Sequence, residues 1–380
     1  MSAPGPLTGQ SLLRTPAGGS PVKLTSLLAS SGEGAVYRTS QSGHVAKIYN
    51  NPKPEYFRKL TAMIARPPRD PAAPAVSIAW PACILSRRAG EPVGFLMPEI
   101  AKAKRPTILY VPKTRLVDAS GVDWFYLHSA ALNVARLFRA IHELGYVIGD
   151  VKPENLLVNA SMQICAIDTD SFQVTDPATK SVYRCPVGTP DYTPPELWGR
   201  DFTTIDRSIN HDLFGLAALI YLFLFGKHPF SGGLLPESMI GMETGERIKR
   251  GLWQWNRSTP LTPHRGSLPL DIVHPELVAL FRRCFDRGGQ RPDMRPTAKE
   301  WQTALELAID DLMWCQTSVL HVHASHRSCP WCESARTGVD LFPNKQGLTS
   351  SSFASVVHRL DRMVANGDYE AASALIKRHG

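Results

Sequence analysis

The chain has 380 residues, 43% of them hydrophobic, and a formal net charge of +8. That is enough apolar material for one large domain or two modest ones with a proper core. The basic balance fits an anionic ligand, nucleic acid or an acidic partner; an ordinary solvated surface explains it equally well. Seven scattered cysteines, an odd number, argue against a disulfide framework.

Residues 1–21, rich in Gly, Pro and Ser and lacking an apolar h-region, read as a disordered lead-in rather than a signal peptide. Residues 24–49 alternate apolar and polar, which predicts antiparallel strands around a tight turn. The turn is SGEGAVY, Ser31 to Tyr37, where Gly32 and Gly34 would let backbone N–H groups approach phosphates. A plain hairpin turn reads the same way. Lys47 then stands inside the apolar strand HVAKIY and needs an anionic partner unless it faces solvent. A phosphate-holding lysine also needs an orienting carboxylate. Glu55, at the start of the helical run EYFRKLTAMIA, is the glutamate at hand; complementing the helix dipole is its alternative role.

Residues 76–100 read as further strands ending in GFLMPEI, and residues 123–144 as a long amphipathic helix with Gly145 at its C-cap. In GYVIGDVKPENLLV, Asp150, Lys152 and Asn155 share a loop. An aspartate there can accept a hydroxyl proton, a lysine can neutralise a moving phosphoryl group and an asparagine can hold a metal. A short strand leads to AIDTDSFQV, with Asp168 and Asp170 so close that a cation or donor should lie between them. LFGLAALIYLFLFG, Leu213 to Gly226, is too short to span a bilayer comfortably and reads as a buried helix. The chain is expected in the cytoplasm.

The order glycine turn, VAKIY, DVKPENLLV, DTDSF, GTPDYTPPE, DLFGLAALIY, RPDMRPT resembles the protein kinases over residues 22–310. The resemblance implies an α+β bilobal fold, with an N-lobe at 22–100 and a helical C-lobe at 101–313. It implies an ATP-dependent Ser/Thr kinase. Lys47 would contact ATP phosphates, with Gly32, Gly34 and Val36 above the nucleotide. Met97 would be gatekeeper, with the Pro98 and Ile100 backbones facing adenine. Asp150 would be the catalytic base and Lys152 the phosphoryl stabiliser, while Asn155 and Asp168 would hold Mg²⁺ or Mn²⁺. Thr189 would brace Asp150 and Lys152, Glu196 would pair with Arg295, and Asp212 would anchor the catalytic loop. The departures are Ile148-Gly149 where kinases carry His-Arg, Tyr37 for the third loop glycine, and Thr169-Asp170 for Phe-Gly. With no arginine before Asp150, activity should not depend on a phosphorylated activation segment. Asp170 should stiffen the metal loop, either near a second metal or capping its own turn.

Residues 314–343 hold Cys315, His321, His323, His326, Cys329 and Cys332. CPWC lets both thiolates reach one metal, and Cys315 is the obvious third ligand of a structural Zn²⁺ site. A redox pair is the rival reading of CPWC. His321 is taken as fourth ligand, since C-x5-H-x7-C-x2-C resembles the zinc-ribbon tail of bacterial kinases that also carry DTDSFQ; His323 and His326 are the fallbacks. Members of that group occur beside a von Willebrand factor A protein and a PP2C-type phosphatase, which makes these the expected partners, with a protein as substrate. Residues 344–380 read as a linker and a short helical pair. The rivals to an active kinase are a pseudokinase scaffold and a nucleic-acid binder. Against the latter, no run of Lys/Arg interleaved with aromatics lies near the zinc motif.

Overall fold

The computed structural model describes residues 7–15, 20–73, 75–88, 90–119, 121–159, 161–264, 267–318 and 320–343. Residues 344–380, with the expected linker and helical pair, lie outside them. The N-terminal portion is an antiparallel sheet of β1 (Ser11–Thr15), β2 (Val22–Ser30), β3 (Gly34–Thr39), β4 (His44–Tyr49), β5 (Cys83–Ser86) and β6 (Pro92–Pro98). The strand order is β1-β2-β3-β4-β6-β5. Helix α1 (Pro54–Ala65) follows β4, opens on a proline and turns Phe57, Leu60 and Met63 inward. The disordered lead-in expected over residues 1–21 is corrected within Ser11–Thr15, which pairs with β2 and β5. Leu12 is the cause: its side chain is buried beside Val22 and Leu24 in the core of the sheet.

The helical portion contains α2 (Thr107–Tyr110), α3 (Pro112–Asp118) and α4 (Trp124–His142), then the hairpin β7 (Leu156–Val158) and β8 (Ile164–Ala166). The pair β9 (Val174–Thr175) and β10 (Val182–Tyr183) precedes α5 (Ile209–Phe225), α6 (Thr244–Lys249), α7 (Pro275–Arg282) and α8 (Ala298–Asp310). Helix α4 is shorter at its end than its apolar pattern predicts; Gly145 takes a left-handed φ of 75° three residues beyond His142. Helix α5 starts earlier than its apolar run, because Ser208 and His211 form a reciprocal capping box ahead of it. It ends where Gly226 turns left-handed, φ 69°. Almost all of α5 is buried; α4 lies against it on one side and against α8 on the other, and the three share the core of this lobe.

The C-terminal extension has strands β11 (Leu312–Trp314) and β12 (Val322–Ala324) and helix α9 (Pro330–Arg336). It is seated on the helical lobe. Trp331 lies edge-on to Trp124 with ring centres 5.0 Å apart and to Phe342 at 4.7 Å. Arg115 of α3 stacks on Phe342 at 4.3 Å and donates to the Leu341 carbonyl at 2.6 Å. Among the described residues no helix is long and apolar enough to cross a membrane.

Candidate active site and metal centre

Lys47 projects from β4, opposite Val36 of β3. Its buried ammonium reaches Asp168 Oδ1 at 2.9 Å, Asp170 Oδ1 and Oδ2 at 2.9 and 2.8 Å, and Glu33 Oε2 at 3.2 Å. Burial alone would depress the Lys47 pKa; the carboxylates of Asp170, Asp168 and Glu33 outweigh it and raise the pKa above the usual lysine value. The assignment of Glu55 as orienting carboxylate is corrected here. Glu55 is exposed in the first turn of α1, where it complements the helix dipole, and the anions around Lys47 come from elsewhere.

The two glycines of the turn differ physically. A Cβ on Gly34 would stand 2.5 Å from the Ile48 carbonyl oxygen, so close approach of β3 to β4 demands glycine there. A Cβ on Gly32 would meet nothing within 4 Å, which leaves that side of the turn open to a ligand. Met97, Pro98 and Ile100 are half-buried at the end of β6, with Met97 opposite Val45 and Pro98 opposite His44 on β4.

Asp150 is buried in the loop between α4 and β7. Its Oδ1 accepts from Thr189 Oγ1 at 2.8 Å and its Oδ2 from Lys152 Nζ at 2.5 Å. Asn155 Nδ2 donates to the Asp150 carbonyl at 2.9 Å, so its amide oxygen is the atom left for a cation. Asp212 accepts from the Ile148 and Gly149 amides at 2.7 and 2.9 Å, the anchoring contact expected from the sequence. His142 adds a contact to Asp212 at 3.0 Å that sequence reasoning missed. Arg295 donates to both Glu196 oxygens at 2.7 and 2.8 Å, the expected ion pair.

Asp168 adopts a left-handed backbone, φ 58°, at the start of a 3-10 turn over Thr169–Ser171. The turn is held from within, where Ser171 Oγ donates to the Asp168 carbonyl at 2.8 Å, and from outside, where Thr169 Oγ1 donates to the Ala79 carbonyl at 2.7 Å. Asp170 neither caps this turn with its side chain nor faces open solvent. Its carboxylate is buried against Lys47 and Tyr49, whose hydroxyl donates to Oδ2 at 2.8 Å. Lys59 of α1 donates to the Asp170 carbonyl oxygen at 2.6 Å. Burial lowers the Lys59 pKa, partly offset by Asp170. The sequence carries a signal for Lys59: it lies three residues after Tyr56 and four before Met63, on the inward face of α1.

The missing arginine before Asp150 has a spatial counterpart. Gly149 has φ 76°, and a Cβ on it would lie 2.6 Å from the Arg207 guanidinium. Arg207 is buried and donates to the carbonyls of Gly149 at 3.0 Å, Cys185 at 2.5 Å and Val187 at 2.7 Å. Gln173 fixes the Arg207 backbone in return, donating to its carbonyl at 2.7 Å and accepting from its amide at 2.8 Å. A cation therefore already occupies the junction of catalytic loop and activation segment.

In the extension, Sγ of Cys315, Cys329 and Cys332 and a ring nitrogen of His321 lie within 4.8 Å of one another. Cys315 and Cys332 sulfurs are 3.6 Å apart, and His321 Nδ1 is 3.4 Å from Cys332 and 3.7 Å from Cys329. Tetrahedral zinc with ordinary bond lengths separates two sulfurs by about 3.8 Å and sulfur from nitrogen by about 3.6 Å, so the four donors fit that ion. The fallback histidines are engaged elsewhere: His323 contacts the Ala324 carbonyl and His326 the Asp271 carbonyl, both at 2.9 Å.

The two lobes meet at a buried strand lysine, a braced Asp150 and the carboxylates of Asp168 and Asp170, and residues 113–304 match the protein kinase domain family. The chain belongs to that family. It is 35% identical over 322 residues to "Protein kinase YegI" of Escherichia coli O157:H7, a match covering 83% of this chain and 49% of the relative. The YegI of E. coli strain K12 is 34% identical over the same length. Citron Rho-interacting kinase of Mus musculus is 30% identical over 115 residues, 29% of this chain and 5% of the relative. The chain thus spans about half the length of the YegI proteins it matches.

Proposed function

We propose that the chain is an ATP-dependent protein serine/threonine kinase with Asp150 as catalytic base. The observation that carries this is the loop in which Thr189 and Lys152 hold the two oxygens of Asp150 while Asn155 ties its backbone. Each carboxylate oxygen has a second lone pair, so Asp150 can still accept the proton of a serine or threonine hydroxyl. That oxygen attacks the γ-phosphorus, the bond to the β-phosphate oxygen breaks, and ADP leaves. Lys152, beside Asp150, neutralises charge on the transferred group, and Lys47 holds the ATP phosphates. The hinge backbone of Pro98 and Ile100 takes adenine below the glycine turn, with Met97 as gatekeeper and Val36 as roof.

Asp168 and the Asn155 amide oxygen would hold Mg²⁺ or Mn²⁺, a hard cation suited to oxygen donors. That ion neutralises phosphate charge when bound. The three carboxylates gathered around Lys47 leave an excess of negative charge that such a cation offsets. Cys315, His321, Cys329 and Cys332 form a closed structural zinc site, since four protein ligands leave no open position. A cytoplasmic location, a protein substrate, and a von Willebrand factor A protein and a PP2C-type phosphatase as partners complete the reading. The two partners rest on the resemblance of DTDSFQ and CPWC to one bacterial kinase group.

The test is transfer of labelled γ-phosphate, with Mg²⁺ or Mn²⁺, to Ser, Thr and Tyr substrates by wild type and Asp150→Ala. Transfer to Ser or Thr that vanishes in Asp150→Ala is expected. No transfer with either ion would leave an ATP-binding scaffold; transfer to Tyr alone would refute the Ser/Thr assignment.

A further inference from the structure

We infer that Asp170 is the positioning carboxylate of Lys47, supplied by the metal loop instead of helix α1. The inference rests on the reading of Lys47 as the lysine that holds ATP phosphates. In protein kinases generally that lysine is oriented by a glutamate of the helix after its strand. Here the inward polar residue of that helix is a lysine. Lys59 is buried, and its ammonium is 2.6 Å from the Asp170 carbonyl oxygen. No glutamate on α1 reaches Lys47 among the described contacts: Glu55, its one glutamate, is exposed.

Asp170 fills the gap by geometry. Both of its oxygens lie within 2.9 Å of Lys47 Nζ, and its side chain is 3% exposed. Glu33 and Asp168 also touch Lys47, but their side chains are 50% and 37% exposed, so solvent and an arriving nucleotide compete for them. Asp170 is the permanent partner. The Tyr49 hydroxyl gives it a second donor, and its own backbone is held by Lys59. A buried carboxylate paired with an ammonium and a hydroxyl is compensated, whereas a glutamate placed on α1 beside it would crowd like charges around one lysine.

The ordinary division of labour is therefore rearranged. The helix holds the metal loop through a neutral carbonyl, and the metal loop holds the lysine through a charge. Lys47 and the metal-loop aspartate are oriented by one 3-10 turn, so displacement of α1 does not by itself remove the anion from Lys47.

The experiment moves the carboxylate back to the helix. Asp170→Gly, Lys59→Glu, the double variant Asp170→Gly/Lys59→Glu and the near-isosteric Asp170→Asn are compared by kcat and KM for ATP, with folding followed by thermal melting. Each single variant is expected to lose about 10²-fold in kcat/KM, the cost of a misplaced phosphate-binding group. The double variant, with the carboxylate on α1 and no competing Asp170, is expected to recover at least about tenfold over Asp170→Gly. A packing role alone predicts no such recovery. Wild-type kcat/KM in folded Asp170→Asn overturns the inference, and so does a folded double variant no better than its singles. Lys47→Met separates this from the reading beneath it: retained activity there overturns the role of Lys47 itself, and the inference with it.

Discussion

Replacing Arg207 by methionine keeps a similar stem and removes the guanidinium. Arg207 makes three bonds from a charged donor to main-chain carbonyls, those of Gly149, Cys185 and Val187. It also stacks on Phe202 at 4.5 Å. Bonds to charged groups are worth about 1.5–3 kcal/mol each, but freed carbonyls near the surface regain water. Val187 is exposed and Cys185 is fully buried, so the compensation is uneven. Loss of the stacking adds about 0.5–1 kcal/mol. We expect a net cost of about 2–4 kcal/mol, concentrated where the activation segment meets the catalytic loop. Hydrogen exchange read by mass spectrometry should show faster exchange around residues 185–189, with protection in α5 kept. Phosphotransfer should fall by at least tenfold. Unchanged exchange and activity in Arg207→Met would refute the view that this cation replaces the arginine absent before Asp150.

Three further outcomes follow. Purified protein should carry one zinc per chain, and Cys332→Ser should lose it with a fall in Tm, as read by metal analysis and calorimetry; a zinc-free wild type with the same Tm would count against the site. Burial lowers the pKa of His128 and His228 to about 4, so the unfolded chain binds protons that the folded chain refuses between pH 6.5 and 4. Stability should therefore fall on acidification through that window, by roughly 2 kcal/mol per histidine at pH 5, and His128→Phe should flatten the slope in urea titrations. Gly34→Ala should cost about 1–3 kcal/mol, because its Cβ would sit 2.5 Å from a main-chain oxygen, whereas Gly32→Ala should leave Tm unchanged.

Local signals in the sequence carried far. Apolar periodicity marked α4, an unbroken apolar run marked α5, and alternation marked the strands. The order of motifs announced the kinase lobes, and the short spacing of CPWC with Cys315 and His321 announced a cluster that the fold does bring together. Apart from the ends of α4 and α5, the failures were tertiary. Glu55 was chosen because it was near in sequence, but the carboxylates around Lys47 come from the glycine turn and from a loop more than a hundred residues away. Lys59 was on view in the helical pattern, yet nothing local says that its partner is a carbonyl across the cleft. Arg207 could not be linked to Gly149 from sequence, since chain folding alone brings them together. The strand at Ser11–Thr15 was hidden in a composition suited to disorder, and one buried leucine decides it.

The contact between Trp331 and Trp124 gives the molecule an optical handle of its own. Two indoles with centres 5.0 Å apart and planes at 74° in a fixed apolar setting should couple their transitions and contribute to the near-ultraviolet circular dichroism. One indole belongs to the C-terminal extension and the other opens α4, a helix of 19 residues and so about 28 Å long. Its far end places His142 against Asp212, beneath the loop that carries Asp150. The seating of the extension can thus be followed without a label, at the opposite end of a rigid rod from the chemistry.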